Sequence, residues 1–339
     1  MLLDVEEDSE NLVAGDLRAT EQPGLTSLHS LFLNEHNRIA TELSELDRSL
    51  TDEELYQISR QIVIAELQNI VYNEFLPVVL GSKIMEEHNI SLPLTGPTKY
   101  DKTVDPRAIN EFATFAFRFG HTMVPHSFKP YFNFFDCPIK DNFFNFEQFN
   151  IGRDFSGKAW QDLLYSIHQF ESPHFDGNLN DHLTNFLFCG ENCRLGVGFG
   201  QDLAARNIQR GRDHGLPGYV NYREPCGLSS PADWSDKPEE ISEENWGKLQ
   251  EVYNNVEDID AFSGAFSEDS VSDGLVGPTI ACIIGIQFRN LMIGDRFFFT
   301  HSNGGTNQEQ GLIDEARIMI RQRRLSDIIC DNLDVGSLR

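Results

Sequence analysis

Apolar residues recur at helical spacing along most of the chain. Over residues 23–46, Leu25, Leu28, Leu31, Phe32, Ile39, Ala40 and Leu43 fall on one side, which predicts a long helix opened by Pro23. Thr51-Asp52-Glu53-Glu54 has the form of a capping box. Leu55, Ile58, Ile62, Ala65, Ile70 and Val71 continue it as a buried stripe, predicting a second helix to about residue 74, stopped by Pro77 and Gly81. Residues 105–125 predict a third helix, with Asp105 as N-cap, Pro106 in the first position and Pro125 at the end. Its apolar face carries Ile109, Phe112, Ala113, Ala116, Gly120 and Val124, and His121 sits on the flank with Arg118 three residues before it. Pro278 opens an apolar helix to about Met292, and residues 308–320 form another. A basic patch at 321–324 then precedes a short last helix capped by Ser326. Short helices are expected at 159–170, 180–188 and 201–209, and an acidic surface loop at 231–244. Residues 128–155, rich in Phe, Asn and Asp without a period, read as irregular with a short strand pair. No repeat, low-complexity tract or linker interrupts the series, so the expectation is a mainly α fold in a single domain over residues 1–339.

Charge and composition narrow the partners. The formal net charge of −26 argues against nucleic acid or an anionic membrane surface. No stretch approaches the roughly 18 consecutive apolar residues of a bilayer span. The first residues are acidic and lack the basic and apolar regions of a signal peptide. The six cysteines form no metal-binding cluster, and disulfides or reduced thiols both suit their spacing. Asn89-Ile90-Ser91 is a glycosylation sequon, meaningful only in a secreted chain.

The common catalytic signatures are missing: there is no G-x-S-x-G, no Walker A loop and no H-E-x-x-H. The glycines at 196, 198 and 200 do not follow a strand in a βαβ unit, and Arg212-Asp213-His214 has no other kinase element beside it. His121 is the residue with chemistry to offer. Beside an apolar cavity and near the Arg118 guanidinium, its imidazole suits an iron-centred macrocycle with anionic arms. A histidine on an apolar flank taken alone is more commonly a hydrogen-bonded core residue.

The order of longer motifs decides between these readings. Arg18-Ala19-Thr20-Glu21-Gln22 precedes the helix from Leu25 to Leu43 with its Glu35-His36-Asn37-Arg38, and Phe117-Arg118-Phe119-Gly120-His121-Thr122 follows. Then come Gln209-Arg210-Gly211-Arg212-Asp213-His214-Gly215, Pro225-Cys226-Gly227-Leu228, Gly277-Pro278, Gln287-Phe288-Arg289, Gly294-Asp295-Arg296-Phe297 and Ile329-Cys330-Asp331-Asn332. In this order the chain closely resembles the animal haem peroxidase family, from about Gly15 to Asp334.

The resemblance implies a haem b enzyme that uses hydrogen peroxide to oxidise a small donor or a halide, with an extracellular setting and a role in the response to oxidative stress. His121 would be the axial ligand of the haem iron, and Asn332 the partner of its other ring nitrogen. Arg118 would bind a haem propionate, and Glu21 matches a residue able to form an ester link to the haem. Arg18 would be the distal arginine that stabilises charge on the leaving oxygen. His36 and His214 match structural motifs, Cys226 and Cys282 a family disulfide, and Cys330 a cysteine whose partner lies further downstream. The family's distal histidine and calcium loop lie upstream of the distal arginine. Only seventeen residues precede Arg18 here, none of them His. The expectation is therefore a peroxidase domain truncated at both ends. A non-catalytic adhesion or interaction protein of the same fold, or an inactive fragment, is the alternative.

Overall fold

The computed structural model describes residues 15–20, 23–125, 171–188, 200–301 and 312–333. Besides these it describes the helical positions of Trp160, Gln161, Leu164 and Ile167 and the backbone of two two-residue strands. The strands are β1 (Asp4–Val5) and β2 (Leu12–Val13), antiparallel with Asp4 opposite Val13 and Val5 opposite Leu12. Among the described residues everything else regular is helical, as the apolar spacing predicts.

The core is built around one apolar helix. We number the helices α1 (Pro23–Leu46), α2 (Asp52–Ile70), α3 (Leu76–Glu87), α4 (Asn110–Thr114), α5 (Asp181–Asn185), α6 (Leu203–Asp213), α7 (Val220–Arg223), α8 (Glu243–Val252), α9 (Ala261–Ala265), α10 (Pro278–Gly294), α11 (Asp314–Ile320) and α12 (Leu325–Asn332). In α10, Pro278 takes the first turn, where its missing N–H costs nothing. The helix is apolar nearly all round, and Ile280, Ala281, Ile283, Ile284, Phe288 and Met292 are buried. It packs against α3, α4 and the segment carrying His121. Tyr72 donates its hydroxyl to Phe288 O at 2.6 Å, which ties α10 to the turn after α2.

Helix α2 starts as the sequence predicts: Thr51 Oγ1 accepts from the Glu54 N–H, and Glu54 accepts from the Thr51 N–H. It does not stop at Pro77. A π-helical turn over Val71–Phe75 bonds the Leu76 N–H to Val71 O and resets the ladder. Pro77 then falls in the first turn of α3. Gly81 bends α3 without ending it. Its φ is +74°, and a Cβ there would stand 2.7 Å from Asp273 Oδ1 and 2.8 Å from Ser272 O, so glycine is required. The run Asp52–Glu87 is long enough, and an 18-residue stretch within it apolar enough (mean hydropathy 1.2), to cross a bilayer. Its Tyr72, Leu76, Val79 and Leu80 are instead packed in the core.

A second, smaller apolar cluster joins α1 to α12 through Leu31, Ile70, Trp160, Leu164, Ile328 and Leu333. Beside it, the fully buried Glu35 carboxylate on α1 accepts from Arg38 (2.6 and 2.8 Å), Arg323 (3.0 Å) and Asn332 (2.6 Å). His36 lies against Tyr56 and its carbonyl, a structural position as the motif implies.

The ends of several predicted elements move. Helix α12 is capped by Arg324, whose N–H donates to the Asp327 carboxylate, and Ser326 lies inside the helix. Helix α11 begins only at Asp314, with Ile313 extended before it, later than the predicted start at 308; residues 308–311 lie outside the described residues. So do residues 128–155 and most of 159–170. Asn180 and Asp202 cap α5 and α6, two of the expected short helices. The expected loop at 231–244 ends at α8, where Ser242 Oγ accepts from the Asn245 N–H.

Candidate functional site

The predicted helix over residues 105–125 is two pieces. Asp105 turns back on Arg107, accepting from its N–H and guanidinium, and caps nothing. Gln287 on α10 accepts from the Ile109 N–H at 2.7 Å and donates to Arg107 O at 3.3 Å, fixing where α4 begins. Helix α4 ends at Phe115, whose φ/ψ of −138°/−47° leaves the helical region. Phe115 is 1% exposed, so core burial of its ring accompanies the break. A 3₁₀ segment, Ala116–Met123, follows. In a 3₁₀ helix residues three apart eclipse, so Arg118 and His121 share one edge.

Across from that edge lies α6, with Asn207 fully buried on its inner side. The Asn207 amide bridges the two residues of the 3₁₀ segment. Its Oδ1 accepts from Arg118 Nη1 at 2.6 Å, and its Nδ2 donates to His121 Nδ1 at 2.9 Å. Arg118 Nε also donates to Ala113 O at 3.1 Å. Burial, with the Arg118 charge added, pulls the His121 pKa down to about 4, so the ring is neutral at pH 7. With Nδ1 engaged, Nε2 is the nitrogen left to bind a metal, and among the described residues it has no hydrogen-bond partner.

The neighbourhood is cationic. Burial lowers the Arg118 pKa, and the charges of Arg210, Arg18 and Arg206 lower it further. Arg206 and Arg210 rise from α6, and Arg18 comes from the 3₁₀ turn Leu17–Thr20 before α1. Arg18 is 77% exposed and pairs with Asp16 through both Nε (3.0 Å) and Nη2 (2.7 Å). A neutral imidazole beside several guanidinium groups fits a metal-centred macrocycle with carboxylate arms.

One expectation changes here. Asn332 does not serve His121: it donates to Glu35 Oε2 at 2.6 Å and to Ile328 O at 2.9 Å. It sits in the last turn of α12, which packs on α1 and turns the amide onto a buried carboxylate. Asn207 holds the imidazole instead. The sequence signal for it was slight, one Asn in a helix three residues before Arg210. Glu21 lies outside the described residues. Arg118 and His121 are brought together, with Arg18 within electrostatic reach of Arg118.

His214 is structural, as its motif implies, with Nδ1 2.9 Å from Asn110 Oδ1 and 3.3 Å from Thr114 Oγ1. Cys226 and Cys282 form a disulfide that ties the segment after α7 to α10, and Cys330 is free and exposed.

The sequence model of the animal haem peroxidase family matches residues 3–338. The chain belongs to that family. Membership implies a haem iron as the cofactor, and the donor set around His121 fits one. Relatives include peroxidasin homologue pxn-2 of Caenorhabditis elegans, 38% identical over 95% of this chain and 23% of that protein. Chorion peroxidase of Drosophila melanogaster is 36% identical over 95% of this chain and 38% of its own length. Lactoperoxidase of Mesocricetus auratus is 35% identical over 96% of this chain and 44% of its own length. The chain thus spans less than half of these relatives. Among solved structures, peroxidase A of Dictyostelium discoideum aligns with a TM-score of 0.75 at 30% identity, covering 95% of this chain and 57% of that one. A fatty acid alpha-dioxygenase of Arabidopsis thaliana shares the fold, with a TM-score of 0.73 at 21% identity over 99% of this chain and 56% of that one.

Proposed function

We propose that the chain forms the iron-binding half of a haem b peroxidase that uses hydrogen peroxide to oxidise a small donor or a halide. The observation that carries this reading is the Arg118–Asn207–His121 bridge, a neutral imidazole positioned by a buried amide beside a guanidinium. His121 Nε2 would bind the haem iron, and Asn207 would fix the plane of the ring behind it. Arg118, supported by Arg206 and Arg210, receives the anionic arms of the macrocycle through charge-assisted hydrogen bonds. The bound haem supplies the two-electron reduction of peroxide and the oxidation of donors.

Arg18 serves the opposite side of the reaction. Its guanidinium, held by Asp16, would stabilise negative charge on the leaving oxygen of peroxide. Proton transfer to and from peroxide requires a positioned acid/base besides Arg18, worth roughly 10²- to 10⁴-fold in rate. Glu21, by family resemblance, is the residue for an ester link to the haem. The Cys226–Cys282 disulfide supports an oxidising, extracellular setting, in which the Asn89 sequon and a role in oxidative stress make sense. We read residues 1–339 as part of one peroxidase domain.

Peroxide consumption with a reducing donor tests the proposal on the haem-loaded 339-residue chain. Turnover above that of free haemin, abolished in His121→Ala, supports it. Turnover equal to free haemin in both proteins overturns it.

A further inference from the structure

Helix α3 ends in a turn whose outward residues carry a motif that haem chemistry leaves unused. The Asn89 N–H donates to Glu86 O at 2.9 Å, and the Ile90 N–H donates to Met85 O at 3.1 Å. This pair of bonds closes a helix C-terminus around one residue in the left-handed conformation, and Asn89 takes it with a φ of +52°. Asparagine is one of the few residues besides glycine that adopts this region readily. Ile90 and Met85, whose side chains such closures bring together, are both buried in the main core cluster. On the other side, the His88 ring lies so close to Gly285 of α10 that a Cβ there would run into it.

Asn89 therefore stands between two anchored neighbours, and it is exposed, as is Ser91. Among the described residues neither the Asn89 amide nor the Ser91 hydroxyl has a hydrogen-bond partner. Asn89-Ile90-Ser91 is the one Asn-x-Ser/Thr sequence in the chain, with Ile and not Pro between. Backbone geometry explains Asn89, and core packing explains Ile90. The turn gives Ser91 nothing to do. A hydroxyl two residues after an exposed asparagine is what the glycosylating transferase requires of its acceptor.

We propose that Asn89 carries an N-linked glycan on the exposed end of α3. The proposal rests on the reading of the chain as extracellular. The donor is a lipid-linked oligosaccharide pyrophosphate, and a membrane-bound transferase supplies the catalysis. A bond forms between Asn89 Nδ2 and the anomeric carbon of the first sugar as that carbon's bond to the phosphate oxygen breaks. Nδ2 gives up one proton and keeps the other, the lipid pyrophosphate leaves, and nothing is oxidised or reduced. The turn is closed by backbone groups, so the modification takes no hydrogen bond from the fold. It keeps this end of α3 in solvent, and no partner chain closes over it.

The test expresses the 339-residue chain behind a cleavable signal sequence in animal cells and follows its mobility on a denaturing gel. Wild type should show the shift of a single glycan. Peptide N-glycosidase F should remove it from the folded protein without denaturant, leaving an aspartate at position 89 that peptide mass spectrometry locates. Asn89→Gln and Ser91→Ala should lose the shift, and Ser91→Thr should keep it. Asn89→Gly suits the left-handed turn as well as asparagine does, so its loss of the shift separates the glycan from damage to the fold. A wild-type chain without the shift, a shift that survives Ser91→Ala, or a glycan released only after denaturation overturns the proposal. A chain that lacks the glycan but forms the Cys226–Cys282 disulfide leaves the extracellular reading standing and removes the glycan alone. A chain that lacks both removes both.

Discussion

Asn207 and His121 are 86 residues apart in sequence, yet Asn207 Nδ2 lies 2.9 Å from His121 Nδ1. That contact, and no contact from Asn332, positions the imidazole. Asn207→Ala should weaken haemin binding roughly 10- to 100-fold, the usual cost of losing a partner behind a metal ligand. Asn332→Ala should leave the haemin titration within a few-fold of wild type and lower the melting temperature instead. Titration followed by the Soret band, with melting curves beside it, separates the two residues.

The Glu268 carboxylate is fully buried and accepts from four groups. Arg223 Nη1 (2.9 Å), Tyr219 Oη (2.6 Å) and Thr279 Oγ1 (2.6 Å) converge on Oε1, and the Thr279 N–H (2.8 Å) on Oε2. Arg223, also fully buried, reaches Glu240 with Nη2 at 2.7 Å. Removing the carboxylate leaves a buried guanidinium short of its partner. Glu268→Ala should cost about 3–5 kcal/mol in urea unfolding, whereas Tyr219→Phe, which removes the hydroxyl that donates to Glu268 and accepts from Arg223 Nη1, should cost about 1–3 kcal/mol.

The long loop closed by Cys226 and Cys282, 56 residues apart, makes a third measurable quantity. The chain-entropy relation gives about 4 kcal/mol for a loop of this length. The double variant Cys226→Ala/Cys282→Ala should lose that order of stability. Unreduced wild type and the variant should differ, while reduced wild type and the variant should unfold at closely similar denaturant concentrations.

Glu66 gives the chain a pH signature. Burial, with the nearby Glu35 charge, pushes its pKa up from 4.5 to about 7, against the pull of Arg323. Arg323 donates to its Oε1 at 3.0 Å, while Oε2 is buried with no partner among the described residues. An acid whose pKa is raised on folding binds its proton more tightly in the folded state. Its effect is to lower stability as pH rises from about 4.5 to about 7, with no further change above. Glu66→Gln should flatten that decline and be more stable than wild type at pH 8 by roughly 1–3 kcal/mol. Urea unfolding of both proteins at pH 5 and pH 8 checks the sign.

These residues also mark what a sequence can say. Helices α1 and α10 and the capping box at Thr51 are legible because local spacing and local hydrogen bonds create them. The break at Phe115 is not, because it depends on a buried ring and on a side chain of α10 that holds Ile109. Pro77 misleads for a similar reason: a π turn upstream absorbs it, and nothing local announces that turn. At the site, Arg118 and His121 stand in one readable motif. Their link runs through Asn207 on a different helix, so only the folded chain joins them. Asn332 had an equally plausible motif, and its amide went to a carboxylate that the sequence does not mark as buried.

The most direct test of the central claim is a haemin titration of the 339-residue chain and of its His121→Ala variant, with imidazole added back. The account predicts one haemin per wild-type chain with a saturable Soret shift. It also predicts loss of that axial-ligand signature in the variant and its return with added imidazole. A variant that titrates with the wild-type spectrum and affinity would contradict it.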